Sequence, residues 1–224
     1  MKNLRIAICT PSSGFVRVEW AESVSKLQTA FAKNKKLGVQ DSKLFYICSS
    51  VIPNNRQRCV MLAQKWGATH VLFIDDDMAF SVDAIKLLLR SSDLPIVACN
   101  APKRMYPLQF MSLDFNDKEV VTDDTTIGLQ EVKVTGNAVV LIQMKVFENM
   151  EKPWFFFPYY PETNEWETED YYFNKKAQVL GYPIVIDHDA SKGIVHIGSH
   201  NFNYNDVFHK VASPNYSELN DEQE

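Results

Sequence analysis

Glycine is scarce in this chain, with eight among 224 residues. Neither the G-x-G-x-x-G turn of dinucleotide sites nor the G-x-x-x-x-G-K-[ST] phosphate loop occurs. A G-x-S-x-G elbow for a nucleophilic serine is missing too. With no glycine-rich cradle of backbone amides, a bound phosphate calls for a metal ion as its partner. Cysteine is sparse as well. Cys9, Cys48, Cys59 and Cys99 fall in or beside apolar strand and helix patterns, and no pair makes C-x-x-C. That usage predicts buried, reduced thiols rather than disulfides. No apolar run approaches the roughly 20 residues of a membrane span. Met1 to Cys9 reads as a first strand and not as a signal peptide. The expectation is a soluble, intracellular, cytoplasmic protein. Basic residues are outnumbered, 23 against 28 acids, and the net charge of −5 argues against a general nucleic-acid or anionic-membrane surface.

What is present suits one domain with a sizeable core: 46% of residues are hydrophobic and 12% aromatic. The first half alternates strand and helix. Strands are expected at Arg5–Cys9, Leu44–Cys48, His70–Ile74 and Pro95–Cys99. Between them lie helices at Val18–Lys33, with Trp20, Val24, Leu27 and Phe31 at helical spacing, at Asn54–Trp66 closed by Gly67, and at Val82–Arg90 capped by Ser81. Such alternation implies parallel strands joined by right-handed crossovers. After Asn100 the rhythm changes. Gln109–Phe115 and Glu119–Thr122 read as antiparallel ribbon, Val139–Ile142 as a strand, Val146–Met150 as a short helix and Glu169–Leu180 as a longer one. Ile184–Ile186 and Ile194–His196 complete the strands, and the chain from Ser213 on is a polar, acidic tail.

The most informative stretch is His70-Val71-Leu72-Phe73-Ile74-Asp75-Asp76-Asp77-Met78. A fully apolar strand ends in three carboxylates, which repel one another and cannot lie unpaired in a dry core. Helix capping explains one or two such acids, hardly three in a row. On extended backbone Asp75 and Asp77 point the same way, towards one object, with Asp76 away; a turn begun earlier shifts those roles by one. A divalent cation with oxygen ligands, Mg²⁺ or Mn²⁺, balances such a pair. Ligands of open α/β sheets collect at the carboxyl ends of strands, where this cluster falls.

In order along the chain, Thr10-Pro11, Asn55-Arg56, Phe73-Ile74-Asp75-Asp76-Asp77-Met78, Thr135-Gly136-Asn137-Ala138, Pro153-Trp154-Phe155, Thr168-Glu169-Asp170-Tyr171, Gly181-Tyr182-Pro183 and Val195-His196-Ile197-Gly198 follow one another. That ordered set resembles the GT-A class of nucleotide-sugar-dependent glycosyltransferases, especially compact family-2-like members, over roughly residues 4–200. The resemblance implies a mixed, mostly parallel Rossmann-like sheet flanked by helices, with a small antiparallel ribbon. Residues 1–212 would form a single domain, with a nucleotide-binding half at about 1–100 and an acceptor half at about 101–212. The tail would be 213–224.

It also implies roles. A sugar would pass from a nucleoside diphosphate, UDP by preference, to an acceptor hydroxyl of a glycan or glycoprotein, with inversion. Asp77 would hold Mn²⁺ or Mg²⁺, Asp75 would share it or take the ribose, and His196 would complete the shell, with His188 and His200 as alternatives. Thr10 and Pro11 would wall the base and ribose alongside Asp76. Arg56 has a donor fork for the diphosphate or uracil carbonyls, with Arg58 behind it; the pair Lys103-Arg104 could also reach phosphate but reads first as surface charge. Asp170, then Glu169, would be the general base, although Thr168 is a good N-cap and the helix dipole would lower their pKa. Gly136, Asn137 and Trp154 would contact acceptor or sugar, and Trp166 and Tyr159 offer further flat faces. Other readings are a sugar-nucleotide nucleotidyltransferase, disfavoured because no lysine-bearing, glycine-rich loop follows strand one, and a non-catalytic domain of the same fold. An aspartyl-phosphate enzyme fits poorly, because Ala79 stands where D-x-D-x-[TV] needs Thr or Val.

Overall fold

A computed structural model describes residues 3–105, 107–198, 201, 202, 204 and 207. His200 and the 213–224 tail lie outside the described residues. The first half runs β1 (Leu4–Ser12), α1 (Val18–Lys33), β2 (Val39–Cys48), α2 (Ile52–Trp66), β3 (His70–Ile74), β4 (Met78–Phe80), α3 (Val82–Arg90) and β5 (Ile96–Ala98). The second half adds β6 (Leu129–Val132), β7 (Val139–Gln143), α4 (Met144–Asn149), β8 (Tyr159–Tyr160), β9 (Glu165–Trp166), α5 (Glu169–Val179), β10 (Ile184–Asp187), α6 (His188–Ser191), β11 (Ile194–Ile197) and β12 (Asn201–Phe202). No described helix is long and apolar enough to cross a membrane.

The expected mixed α/β architecture is present. Seven strands form one sheet in the order β2-β1-β3-β7-β5-β10-β6. β2, β1 and β3 are parallel, as are β5 and β10, while β7 runs antiparallel between β3 and β5, and β6 antiparallel to β10. The alternation of strand and helix therefore gave the direction of β3 and β5 but not their neighbour. A strand from the second half is inserted between them, and residues of β3 are buried without exception. Burial on both faces explains why β3 and β7 read as continuous apolar runs instead of alternating ones.

Pleating sends successive residues to opposite layers. Ile6, Ile8, Leu72 and Ile74 pack with Trp20, Leu27 and Phe31 of α1 and with Ile85 and Leu88 of α3. Ala7, Cys9, Val71 and Phe73 pack on the other face with Cys59, Val60 and Ala63 of α2 and with Phe147, Phe155 and Phe173. Cys9, Cys59 and Cys99 are buried free thiols as expected, while Cys48 is free and exposed.

Three local readings need correction. The stretches at Gln109–Phe115 and Glu119–Thr122 form no strands; they are joined by isolated bridges, Leu113 with Glu119 and with Val134, because polar turns interrupt them too often for a ladder. β2 begins at Val39, five residues before the expected start, since its exposed polar first half conceals the pairing with β1. Most consequential, Met78-Ala79-Phe80, left unassigned between the expected strand at His70–Ile74 and the helix at Val82–Arg90, is a strand of its own. It pairs antiparallel with β11, placing His196 opposite Met78.

Gly193 fixes that second sheet against α3. Its carbonyl accepts the Ser81 amide at 2.9 Å, while the Ser81 hydroxyl caps α3 through the Ala84 amide at 3.2 Å. A Cβ at Gly193 would lie 2.7 Å from Ser81 Oγ and 2.9 Å from Ala84 Cβ. Gly193→Ala is therefore expected to destabilise by about 1–3 kcal/mol, the usual range for overpacking. A lowered urea midpoint with unchanged m-value checks it; an unchanged midpoint would show that the contact relaxes freely.

Candidate functional site

All three acids after β3 line one cleft of about 720 Å³, together with Glu169 and Asp170 from α5, His196 from β11, and Arg56. The chain has already turned there, since the Met78 amide donates to the Asp75 carbonyl at 3.1 Å. The extended-strand rule that would aim Asp76 elsewhere does not apply.

At the floor, the Arg56 guanidinium is 2% exposed and surrounded by carboxylates. Nη1 lies 3.0 Å from Asp75 Oδ1 and Nη2 donates to Asp75 Oδ2 at 3.1 Å; Nε donates to Glu169 Oε1 at 3.2 Å; Nη2 is 3.5 Å from Asp170 Oδ1. Its plane also sits over the Phe73 ring, 5.2 Å from the centroid. Arg56 is thus not the free fork for a diphosphate that the sequence suggested. Three acids saturate it, and its role here is to hold β3, α2 and the start of α5 together.

One guanidinium cannot neutralise three carboxylates. Burial pushes the Asp75 carboxyl up to about 8, against the pull of Arg56 and with the push of Asp170 and Asp77. Its side chain keeps 27% exposure, so water tempers that push. Burial likewise raises Asp170 to about 6, helped by Glu169 and opposed by Arg56 and Asn137. The anticipated lowering of Asp170 by the helix dipole is outweighed by burial. Thr168 does cap α5, accepting the Tyr171 amide at 3.5 Å. Arg56 itself stays cationic although burial opposes its charge, because the three acids more than offset it.

Asp77 belongs to a second group. Its carbonyl accepts the Ile197 amide at 2.8 Å, which ties it to β11. Oδ2 meets Arg104 Nη1 at 2.8 Å, and Oδ1 faces His196 Nε2 at 3.5 Å. Burial would raise the Asp77 pKa, but His196 and Arg104 bring it below the usual carboxylate range. His196 Nδ1 lies 2.8 Å from the Pro102 carbonyl, which can only accept, so Nδ1 carries a proton and Nε2 is the nitrogen turned towards Asp77. Oδ1 of Asp77 and Oδ1 of Asp75 are buried and accept no hydrogen bond. A carboxylate oxygen with no hydrogen bond and an imidazole nitrogen 3.5 Å apart could both turn lone pairs to a cation, provided Nε2 carries no proton when the ion binds. Among the described residues no group of three or more His, Cys, Asp or Glu side chains is arranged to hold a metal ion. A hard cation here would draw further ligands from water and from a phosphate, as Mg²⁺ commonly does.

Other expected contacts fall differently. Pro11 lines the cleft, while Thr10 is fully buried beneath it with Oγ1 unpartnered. Asn137 is buried beside Asp170, whose carboxylate its N–H groups favour, and its carbonyl accepts from Arg56 Nη1 at 3.5 Å. Gly136 gives room to Met111, whose sulfur would lie 2.4 Å from a Cβ there. Trp154 is in the core at 2% exposure, its indole N–H donating to the Met150 and Phe147 carbonyls, so no ring face is left for a sugar. Trp166 and Tyr159 are exposed and lean on each other with centroids 5.1 Å apart. His188 is held by Thr122 and Gln130, away from the acids. Arg58 is exposed, and Lys103 reaches Gln109 at 3.4 Å.

Sequence reasoning undervalued Arg104 and passed over the loop between β1 and α1, where Phe15, Val16 and Arg17 line the cleft. Phe15 is 86% exposed. The available signal was an apolar pair directly after the polar Ser12-Ser13-Gly14 turn, outside any helical period.

No protein-family model matches the chain, and no curated protein matches it. Among solved structures, A197 from STIV superposes with a TM-score of 0.57 at 15% identity, over 87% of this chain and 86% of that one. The two share a fold. GalNAc-T7 with UDP, GalNAc and Mn²⁺ aligns with a TM-score of 0.48 at 11% identity, over 83% of this chain and 43% of that chain. The mixed sheet, with its helical flanks and small antiparallel additions, is consistent with a Rossmann-like GT-A fold.

Replacing Arg56 by Met would leave one buried and two partly buried carboxylates uncompensated, and a loss of about 3 kcal/mol is expected, the low end for one broken partner of a buried pair because water still reaches Asp75 and Asp170. The loss has a pH sign. Carboxyls with raised folded pKa favour the fold most below their unfolded value, about 3.9, and that contribution fades as pH rises through about 6 and 8. Without Arg56 the folded pKa values climb further, so the deficit of Arg56→Met should be larger at pH 8 than at pH 5. Urea titrations in EDTA at the two pH values check this. A deficit that grew on acidification would contradict the electrostatic account.

Proposed function

We propose that this chain is a metal-dependent glycosyltransferase that moves a sugar from a nucleoside-diphosphate sugar to an acceptor hydroxyl, with inversion. The observation that carries the reading is the meeting of two half-sites in one cleft. Asp77 and His196 face each other with an unsatisfied oxygen, and Asp170 stands across the floor with a raised pKa. The donor would be a UDP-sugar by preference and the acceptor a glycan or glycoprotein. Asp77 and His196 would hold Mn²⁺ or Mg²⁺, with Asp75 beside them. That ion supplies Lewis-acid stabilisation of the diphosphate as it leaves.

The chain's own residues divide the remaining work. Asp170 accepts the proton of the attacking hydroxyl. A pKa near 6 leaves it ionised at neutral pH yet more basic than an ordinary aspartate. Glu169 is spent on Arg56 and anchors the helix that carries Asp170. Pro11, Phe15 and Val16 supply an apolar wall for the base end of the donor.

Isothermal titration of UDP, GDP, CDP and dTDP, with Mn²⁺ and again with EDTA, tests the reading. Metal-dependent binding of one diphosphate is expected, and no binding under either condition would overturn it. Asp77→Asn should abolish the metal dependence while leaving the fold intact. Asp170→Asn should spare donor binding and slow transfer by roughly 10²–10⁴-fold. A matching loss of donor affinity would remove Asp170 from the base role.

A further inference from the structure

Of the arginines lining the cleft, Arg56 and Arg104 contact its acids, and they differ in what holds them. Arg56 is buried and saturated by Asp75, Glu169 and Asp170. Arg104 keeps 44% exposure on a side chain that follows β5. Its contacts run from a single nitrogen, Nη1, to Asp77 Oδ2 at 2.8 Å and to the Ile197 carbonyl at 3.4 Å. The rest of its fork is uncommitted in those contacts. It therefore occupies one oxygen of Asp77, while the other oxygen, facing His196 Nε2, has no hydrogen-bond partner.

We infer that Arg104 is an exchanging cation: it holds Asp77 while the cleft is empty and grips the phosphate oxygens of a metal-bound diphosphate when one arrives. This rests on the diphosphate site proposed above and assigns it a protein ligand. Two cations do not share one carboxylate at close range without repulsion, so a divalent ion drawn to Asp77 weakens the hold on Arg104. Diphosphate oxygens then offer the planar guanidinium a bidentate partner, which a carboxylate already engaged by metal does not. A half-exposed, long side chain makes that exchange without unpacking the core. Arg56 has no such freedom.

The inference makes two effects of opposite sign, which a merely structural arginine would not produce. Arg104→Gln should tighten binding of Mn²⁺ alone by about two- to fivefold, the worth of a partly exposed competing ion pair. The same variant should weaken inorganic pyrophosphate, titrated with saturating Mn²⁺, by about 10–100-fold, as expected for loss of a charge-assisted bidentate contact. Arg104→Lys should fall between. Water-proton relaxation reads the first and isothermal titration the second, and neither depends on turnover. If the wild-type chain binds pyrophosphate with Mn²⁺ and Arg104→Gln binds it equally well, the role of Arg104 is wrong and the site stands. Weaker binding of Mn²⁺ alone to Arg104→Gln would equally overturn it, making Arg104 a support of the metal site. If wild type binds neither probe, the diphosphate site and this inference fall together.

Discussion

The arrangement of the cleft depends on one buried guanidinium. Arg56 projects from α2, and its contacts reach the end of β3 through Asp75, the first turn of α5 through Glu169 and Asp170, and the approach to β7 through the Asn137 carbonyl. Those segments are distant in sequence: Arg56 and Glu169 are separated by 113 positions. Apolar packing joins the two halves of the sheet but sets no angle between particular polar atoms. A guanidinium does, because its donors lie in a plane with fixed directions. Its net contribution to stability is limited by the desolvation of every charge involved, so its stronger claim is to geometry: it fixes where Asp170 stands relative to Asp75.

A second constraint, independent of the first, positions the other side of the cleft. β4 is only Met78–Phe80, yet its pairing with β11 brings in a residue more than a hundred positions downstream. The Asp77 carbonyl and the Ile197 amide extend that pairing, and the Pro102 carbonyl sets the tautomer of His196. The His196 ring and the Asp77 main chain thus have their orientation settled by backbone, while the Asp77 carboxylate lies between His196 and Arg104. Backbone placement of this kind is what a ligand with directional bonds requires.

Much of this was legible in the chain and some was not, for identifiable reasons. β3 and its acids stood out because a buried parallel strand is apolar throughout and ends abruptly. α1 and α3 were legible from their apolar stripe, and Ser81 and Thr168 from their capping chemistry. The insertion of β7 between β3 and β5 was hidden, since strand order is decided by pairing across the whole chain and leaves no local mark. Trp154 was misplaced because a tryptophan in an aromatic run has the same composition whether it faces a sugar or the core. Arg56 was singled out and does line the cleft, but its contacts were not legible: sequence shows a basic residue near acids in order, not that three of them converge on it.

Under the proposed function, charge gives a reason for the cleft to take a cation together with an anion. Its lining carries Asp75, Asp76, Asp77, Glu169 and Asp170 against Arg17, Arg56 and Arg104. Arg56 is consumed internally and Arg104 is partly consumed by Asp77. An approaching phosphate therefore meets carboxylates whose charge is incompletely balanced, and alone it is repelled. A divalent ion would be attracted, but with no group of three protein ligands among the described residues it would have to complete its shell elsewhere. Each ligand supplies what the other lacks. On that proposal the ion would cancel the acids and the phosphate would fill its coordination sphere, so the two would bind best as one complex. This coupling follows from the surplus of acids over free arginines and from the open side of the Asp77–His196 pair. A cleft with the same fold but its acids removed would have no reason to favour a metal-bound diphosphate over a bare one.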